Sequence, residues 1–154
     1  MVKPTTPGGV LDGSRHLYAV RVYYEDTDLS GITYHANYLR WFERARSDLL
    51  RLLEIDQRSA IESGEGAYAV TEITVKYISP AKLDDDVVIE TIASQVGAAS
   101  VRMEQVAKRV DEEHEEVLAS ASVRAGFLTP EGRPRRQPAK WVESFKKFMD
   151  EKGH

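Results

Sequence analysis

The segment Tyr23–Arg46, YYEDTDLSGITYHANYLRWFERAR, begins like a β-strand and ends like an amphipathic helix. Between the two, Asp26, Asp28 and His35 lie among turn-forming residues. A helix that begins here offers these side chains free backbone N–H groups and the positive end of its dipole. Such N–H groups can stabilise an oxyanion, and a nearby carboxylate can accept a proton from water or attack a carbonyl. The segment therefore indicates a site for carbonyl chemistry at a helix N-terminus.

The second half of this segment predicts a long helix from about residue 36 to residue 53. At about 100° per residue, its apolar side chains occupy one third of the circumference, which is typical of one broad buried face. Asn37 or His35 is a candidate cap. A second, short helix is predicted at residues 56–62. The apolar face of the long helix consists of Tyr38, Trp41, Phe42, Ala45, Leu49, Leu52 and Leu53.

The remaining chain mostly predicts β-strands. In the fourth strand the apolar alternation slips near Gln105, and a β-bulge would explain the slip. Residues 1–16, rich in Pro, Gly and Thr, predict a flexible tail, and a terminal helix is predicted at about residues 138–151. We expect an α+β fold in one domain, residues 17–154, with a sheet curled around the long helix. The predicted strands are residues 17–24, 67–78, 87–96, 100–110 and 117–128.

Composition excludes several classes of function. The 154 residues carry a net charge of −4, which argues against a nucleic-acid partner. The chain has no cysteine, so disulfides, thiolate metal sites and cysteine nucleophiles are excluded. It has no apolar run of membrane-spanning length and no apolar signal core near its start, so we expect a cytoplasmic location. Apolar side chains on both faces of the strands predict a homo-oligomer.

Other interpretations of Asp26, Asp28 and His35 are open from their spacing alone. Acidic residues near helix starts are common as caps and in solvated loops. The three side chains also offer oxygen and nitrogen ligands to a metal. We predict no metal and no cofactor, since no further histidine follows at ligand spacing. Serine catalysis is disfavoured because the chain has no Gly-x-Ser-x-Gly motif.

The Asp-Thr-Asp motif, followed by Tyr-His, Asn-Tyr and Glu-Arg-Ala-Arg, resembles the signature of hot-dog fold acyl-CoA thioesterases. It is similar to the 4-hydroxybenzoyl-CoA thioesterase-like group, and most of all to the bacterial branch whose genes accompany the Tol–Pal cell-envelope system. The segment Val75–Thr91, VKYISPAKLDDDVVIET, resembles a second family segment. The resemblance covers roughly Leu17 to Thr129. It implies a five-stranded antiparallel sheet around the long helix, dimers or tetramers, and active sites at a dimer interface.

The resemblance also implies roles for individual residues. Asp28 matches the catalytic carboxylate, which acts as nucleophile or as general base. His35 matches the histidine that orients the thioester or the water, and its backbone N–H matches the group that polarises the carbonyl. Gly31 matches the loop glycine, whereas Tyr34 and Asn37 have supporting roles in substrate binding. One departure from many relatives is Leu29-Ser30, where those carry Ala-Gly or Pro-Ala.

Two further substrate contacts are weaker expectations. Thr71 lies on a strand that would face a neighbour's pocket. Arg44, with Arg40 and Arg46, would suit the phosphates of coenzyme A, as would the run at residues 133–136. For each of these positions, a solvated or half-exposed surface residue is the more common interpretation.

The expected activity is hydrolysis of acyl-CoA, or of acyl-carrier-protein thioesters, to a free acid and a thiol. The expected protein is a cytoplasmic homodimer or homotetramer with peripheral association to the cell envelope. Two alternatives are an acyl-thioester dehydratase or hydratase of the same fold, and a non-catalytic module that binds acyl groups.

Overall fold

The strands of the protein form one antiparallel sheet. The computed structural model describes residues 1–152. The strands are β1 (Val10–Asp12), β2 (Arg15–Arg21), β3 (Ala67–Tyr77), β4 (Asp86–Val96), β5 (Ser100–Val110) and β6 (Glu115–Leu128), and the helices are α1 (Asn37–Leu52), α2 (Gln57–Glu62) and α3 (Ala139–Asp150). Their order in the sheet is β1-β2-β4-β5-β6-β3. A 3-10 turn, Tyr24–Asp26, links β2 to the loop before α1.

The five predicted strands and the central and C-terminal helices are confirmed, and the sheet has one further short strand, β1. Part of the predicted tail is therefore structured: β1, residues 10–12, forms a hairpin with residues 15–17 of β2. A buried pair explains the difference. The imidazole Nε2 of His16, fully buried, lies 2.7 Å from Asp48 Oδ2 on α1. The N–H of Gly9 donates to the same oxygen at 2.9 Å.

Position 9 has no room for a side chain larger than that of glycine. A Cβ there would collide with the backbone oxygen of Leu17 and lie 2.8 Å from Asp48 Oδ2. We expect Gly9→Ala to lower the free energy of unfolding by about 1–3 kcal/mol, the usual cost of overpacking. Urea denaturation measures this loss. Gly8→Ala is the matched control, since a Cβ at Gly8 would meet Asp48 Oδ1 at an ordinary 3.5 Å. Equal stability of the two variants would contradict the prediction.

The buried His16 predicts a pH dependence of stability. Burial lowers the pKa of His16 below its usual 6.5, against the raising effect of the Asp48 carboxylate. The folded state then binds this proton less readily than the unfolded chain. The stability contribution is therefore complete above about pH 6.5 and is lost as the pH falls through the lowered pKa. Urea denaturation from pH 7.5 to pH 5 should show this decline, and His16→Gln should flatten it; parallel curves would refute the assignment.

Helix α1 packs its apolar face into two core clusters. Tyr38, Trp41 and Phe42 lie in the first, together with strand residues such as Ile89. Leu49 and Leu50 lie in the second, which α3 completes through Phe145 and Phe148. The predicted face is correct except near its end, where Leu50 is buried and Leu52 is 41% exposed. Leu50 belongs to the core cluster that contains Phe145 and Phe148 of α3, whereas Leu52 lies outside both clusters.

The β-bulge predicted near Gln105 does not lie at that residue, although the β5–β6 pair shifts register two residues later, between Ala107 and Lys108. Burial alternates without a slip from residue 101 to residue 107, and Gln105 occupies a core position, 1% exposed. Its amide nitrogen donates to Phe42 O and Thr91 Oγ1, both at 3.0 Å. A polar residue fits the core here because its hydrogen-bonding groups have partners. Register shifts instead occur at residues 70–72, 93–95 and 107–108.

Strand β3 forms one edge of the sheet, beyond β6. Its outer side leaves backbone N–H and C=O groups open to a further strand.

No helix in the part of the chain that the structure describes is long and apolar enough to cross a membrane.

Candidate active site

A small antiparallel hairpin precedes α1 and carries the acidic motif. The N–H of Asp28 donates to Ile32 O at 2.9 Å, and the N–H of Tyr34 donates to Asp26 O at 2.7 Å. Asp28 thus lies at the turn of the hairpin, whereas residue 34 leads directly into the helix. The hairpin makes the carboxylate and the helix start parts of one unit.

The turn itself positions the Asp28 carboxylate. The N–H of Gly31 donates to Asp28 O at 3.0 Å, and the φ of Gly31 is +83°, a left-handed conformation that favours glycine. Both the N–H and the hydroxyl of Ser30 donate to Asp28 Oδ1, at 2.8 and 2.5 Å. The Ser30 hydroxyl, followed by its N–H, lowers the pKa of Asp28 below its usual value. The carboxylate is therefore ionised at neutral pH, and it is exposed in the single chain.

The other oxygen of this carboxylate is open. Within residues 1–152, Asp28 Oδ2 accepts no hydrogen bond. This contact of Ser30 with Asp28 was not predicted from the sequence, where Ser30 is part of a departure from many relatives. A serine two residues after an aspartate is a common turn pattern, which is the signal that would have identified it.

The start of α1 supplies unpaired backbone donors. The N-cap is Ala36, which has no side-chain cap, so neither candidate cap, Asn37 nor His35, fulfils that role. The N–H of Asn37 donates to Tyr34 O at 2.9 Å. The N–H groups of His35 and Ala36 have no acceptor within the described chain. This leaves two donors at the positive end of the helix dipole.

The first carboxylate of the motif, Asp26, is buried and hydrogen-bonded within the protein. It is 8% exposed, and its Oδ1 accepts from the side-chain amide of Asn37 at 2.7 Å. Its Oδ2 accepts from the N–H of Tyr23 at 2.8 Å. The Asn37 side chain, predicted to support substrate binding, is also 8% exposed and is occupied by Asp26. Together the two residues fasten the hairpin to the first turn of α1.

The His35 ring lies at one end of β3. It is exposed, with ring centroids 4.6 Å from Tyr34 and 6.0 Å from Tyr77. The Tyr77 hydroxyl donates to His35 O at 2.9 Å, which holds the helix start against the strand. His35 also lines a cleft of about 210 Å³ with Tyr38, Tyr77 and Pro80.

The predicted site residues separate into two groups. The first group lies in the hairpin and at the start of α1, and it consists of Asp28, Gly31, Tyr34, His35 and Asn37. The second group, Thr71 and Arg44, lies elsewhere. Thr71 is exposed where the β3 register shifts, and its hydroxyl donates to Arg124 O at 3.2 Å. Arg44 is exposed on α1, and neither residue lines the His35 cleft.

The groups in this unit are of the kinds that carbonyl hydrolysis uses. A carboxylate with one open oxygen can attack a carbonyl or activate water, and unpaired N–H groups can hold the resulting oxyanion. Within residues 1–152, no group of three or more His, Asp or Glu side chains is placed to hold a metal ion. A sheet around a central helix, with a carboxylate loop before that helix, defines the hot-dog class of thioester enzymes that the sequence resembles.

Comparison with known proteins agrees with this class. Residues 30–116, more than half of the chain, match the family model of the thioesterase superfamily, and the chain belongs to that family. It is 36% identical to the acyl-CoA thioester hydrolase YbgC of Escherichia coli over 130 residues, 84% of this chain and 94% of that protein. It is 46% identical to the acyl-CoA thioesterase YbgC of Haemophilus influenzae over 88 residues, 57% of this chain and 65% of that relative, just under two thirds of its length.

A solved structure confirms the predicted hot-dog fold. The 4-hydroxybenzoyl-CoA thioesterase of Pseudomonas sp. strain CBS-3 superposes with a TM-score of 0.77 at 19% identity. The superposition covers 85% of this chain and 99% of that one. At this level of identity, the likeness concerns the fold.

Proposed function

We propose that the protein hydrolyses acyl-CoA thioesters to a free acid and a thiol, with residues 17–154 acting as one thioesterase domain. The observation that carries the proposal is the hairpin before α1, which joins an ionised carboxylate with one open oxygen to unpaired helix N–H groups. The activities named for the E. coli and H. influenzae relatives support it.

In the proposed reaction, the Asp28 carboxylate either takes a proton from water or attacks the thioester carbon itself. The carbonyl oxygen becomes an oxyanion that accepts hydrogen bonds from the N–H groups of His35 and Ala36. When Asp28 acts as the base, the activated water bonds to the carbon, the carbon–sulfur bond breaks, and the thiolate takes the proton that Asp28 accepted. When Asp28 is the nucleophile, the same bond breaks and leaves an acyl–Asp28 anhydride and a thiolate that takes a proton from solvent. Water then hydrolyses the anhydride, which releases the free acid and restores the carboxylate. The His35 ring orients the thioester or the water, and Gly31 and Tyr34 shape the loop against the substrate. The lowered pKa of Asp28 suits both roles, since each needs the ionised form.

The proposal includes a second copy of the chain. Asp28 is exposed in one chain, and exclusion of water strengthens the electrostatic interactions on which such a site depends. The open edge of β3 and the resemblance to sheet-pairing dimers support a homodimer or homotetramer. In that assembly Thr71 would face a neighbour's substrate, and Arg44 would meet the phosphates of coenzyme A. The resemblance to the Tol–Pal branch supports a cytoplasmic enzyme with peripheral association to the cell envelope.

The test is an assay of the purified protein with short, long and aromatic acyl-CoAs, and with acyl-carrier-protein thioesters in a separate arm. A thiol reagent reports hydrolysis, and absorbance reports any change at an alkene. We expect thiol release. A change at the alkene without thiol would indicate a dehydratase or hydratase, and acyl-CoA binding without turnover would indicate a binding module; either would overturn the proposal.

A further inference from the structure

A second cavity, of about 130 Å³, lies along residues 43–50 of α1, away from the Asp28 loop. Helix α1 contributes to its wall together with α2, α3, β3, β5 and β6, and none of residues 26–38 lines it. A cavity of roughly 150 Å³ is large enough to hold benzene, so this one suits a group of about six carbons. Its apolar lining includes Leu50, Val101, Met103, Ala125 and Phe145.

One cationic side chain, Arg46, also lines this cavity. It is partly buried, and its Nη1 donates to Gln105 Oε1 at 2.9 Å. No carboxylate forms an ion pair with it within residues 1–152. Burial lowers the pKa of Arg46, and the charge of Glu43 raises it by a smaller amount. A guanidinium that is withdrawn from water and bonded to a neutral amide retains a strong preference for an anion.

Arg46 is held at the cavity by a fixed partner. Gln105 is 1% exposed, and its amide nitrogen is committed to Phe42 O and Thr91 Oγ1. Its oxygen therefore has a fixed direction, toward Arg46. A long arginine side chain otherwise tends to place its charge in water. The Gln105 hydrogen bond opposes that tendency and keeps the guanidinium beside an apolar space.

The other polar groups that line the cavity do not pair with the Arg46 guanidinium in place of an anionic ligand. The carboxylate of Glu43 is exposed, and its Oε1 accepts from the Ser47 hydroxyl at 2.7 Å. The Tyr68 hydroxyl donates to Gln137 Oε1, outside the cavity lining. Among the described residues that line the cavity, Arg46 carries the sole positive charge.

We propose that this cavity binds an aliphatic carboxylate of about four to six carbons, with the carboxylate on Arg46 and the chain among the apolar side chains. Two sources share this chemistry. One is a free carboxylic acid, the product class of the proposed reaction. The other is the far end of an acyl thioester whose acyl group ends in a carboxylate, and this second source rests on the proposed function.

Calorimetric titration with hexanoate tests the site without any need for catalysis. Hexan-1-ol lacks the charge and acetate lacks the chain, so each should bind about ten- to a hundredfold more weakly than hexanoate, as the loss of one charged hydrogen bond or of buried methylenes predicts. Arg46→Met should weaken hexanoate binding by about the same ten- to a hundredfold, whereas Arg46→Lys should retain part of the lost affinity. Arg51→Met, at an exposed position of the same helix, is the matched control.

Thermal unfolding of each variant checks that it is folded. If Arg46→Met does not fold, the comparison of hexanoate with hexan-1-ol on the wild-type chain decides the question, with Arg46→Lys as the variant. Equal affinity for the two ligands would overturn the proposal, as would unchanged hexanoate binding in a folded Arg46→Met protein.

The two sources are separated by kinetics with dodecanoyl-CoA and dodecanedioyl-CoA. Their acyl groups have equal length, enough to span the roughly 15 Å of α1 between residue 36 and residue 46, but differ in the terminal carboxylate. If the far end of a thioester occupies the site, wild-type kcat/KM favours dodecanedioyl-CoA by about ten- to a hundredfold through a lower KM, and Arg46→Met removes that preference. If hexanoate binds and dodecanedioyl-CoA has no advantage, the ligand is the free acid. Failure of all hydrolysis would refute the proposed function and leave the titration intact.

Discussion

Replacement of Asp28 by asparagine is expected to lower kcat for acyl-CoA hydrolysis by about 100- to 10,000-fold, the usual contribution of a positioned base or nucleophile. The amide keeps the shape of the carboxylate, and its oxygen can still accept from Ser30. It has no negative charge, so it can neither take a proton from water nor attack the thioester. KM should change far less than kcat, because the loss concerns the transition state. Thiol release at saturating substrate measures the effect.

The matched control for this prediction is Asp150→Asn, the same chemical change at an exposed position on α3. It should leave kcat unaltered. Ser30→Ala provides a graded test, since it removes the hydroxyl that chiefly lowers the pKa of Asp28. The acid limb of the kcat/KM profile should then move to higher pH. Full activity of Asp28→Asn would exclude this carboxylate from the reaction.

The architecture was accessible from the sequence because its signals are local. Alternation of apolar residues and the wide apolar face of α1 predict the strands and the helix, and the long-range pairing follows from the family resemblance. Gln105 was not accessible in this way. Its burial depends on Phe42 O, Thr91 and Arg46, which lie 14 to 63 residues away along the chain. No local pattern reports a hydrogen-bond network of that kind.

For the candidate site too, the sequence predicts the local features and does not predict those that depend on burial. Asp28 and His35 are seven residues apart, with a glycine between them, so a hairpin that joins both to the helix is a natural prediction. Spacing does not distinguish Asp26 from Asp28, since both precede the same helix. The structure separates them by environment: Asp26 is buried on Asn37, whereas Asp28 is exposed with one open oxygen. The same burial indicates that Asp26 maintains the site without taking part in the reaction.

Replacement of Asp26 by alanine should therefore destabilise the protein and also lower its activity. The buried amide of Asn37 would lose its acceptor, at about 1–3 kcal/mol, and the N–H of Tyr23 would lose a bond worth about 1 kcal/mol. We expect the free energy of unfolding to fall by about 2–4 kcal/mol in urea denaturation. Because this pair fastens the hairpin to α1, kcat should also fall as the Asp28 carboxylate and the helix N–H groups lose their relative placement.

A double-mutant cycle with Asn37→Ala distinguishes the contact from a general loss of packing. If the Asp26–Asn37 hydrogen bond carries the effect, the second substitution adds little to the first, because the unpaired amide that makes Asp26→Ala costly is no longer present. Additive losses would mean that each side chain stabilises the hairpin independently. A stable Asp26→Ala protein with wild-type kcat would show that the turn around Gly31 alone is sufficient to place Asp28, and that the buried pair has no part in the geometry of the site.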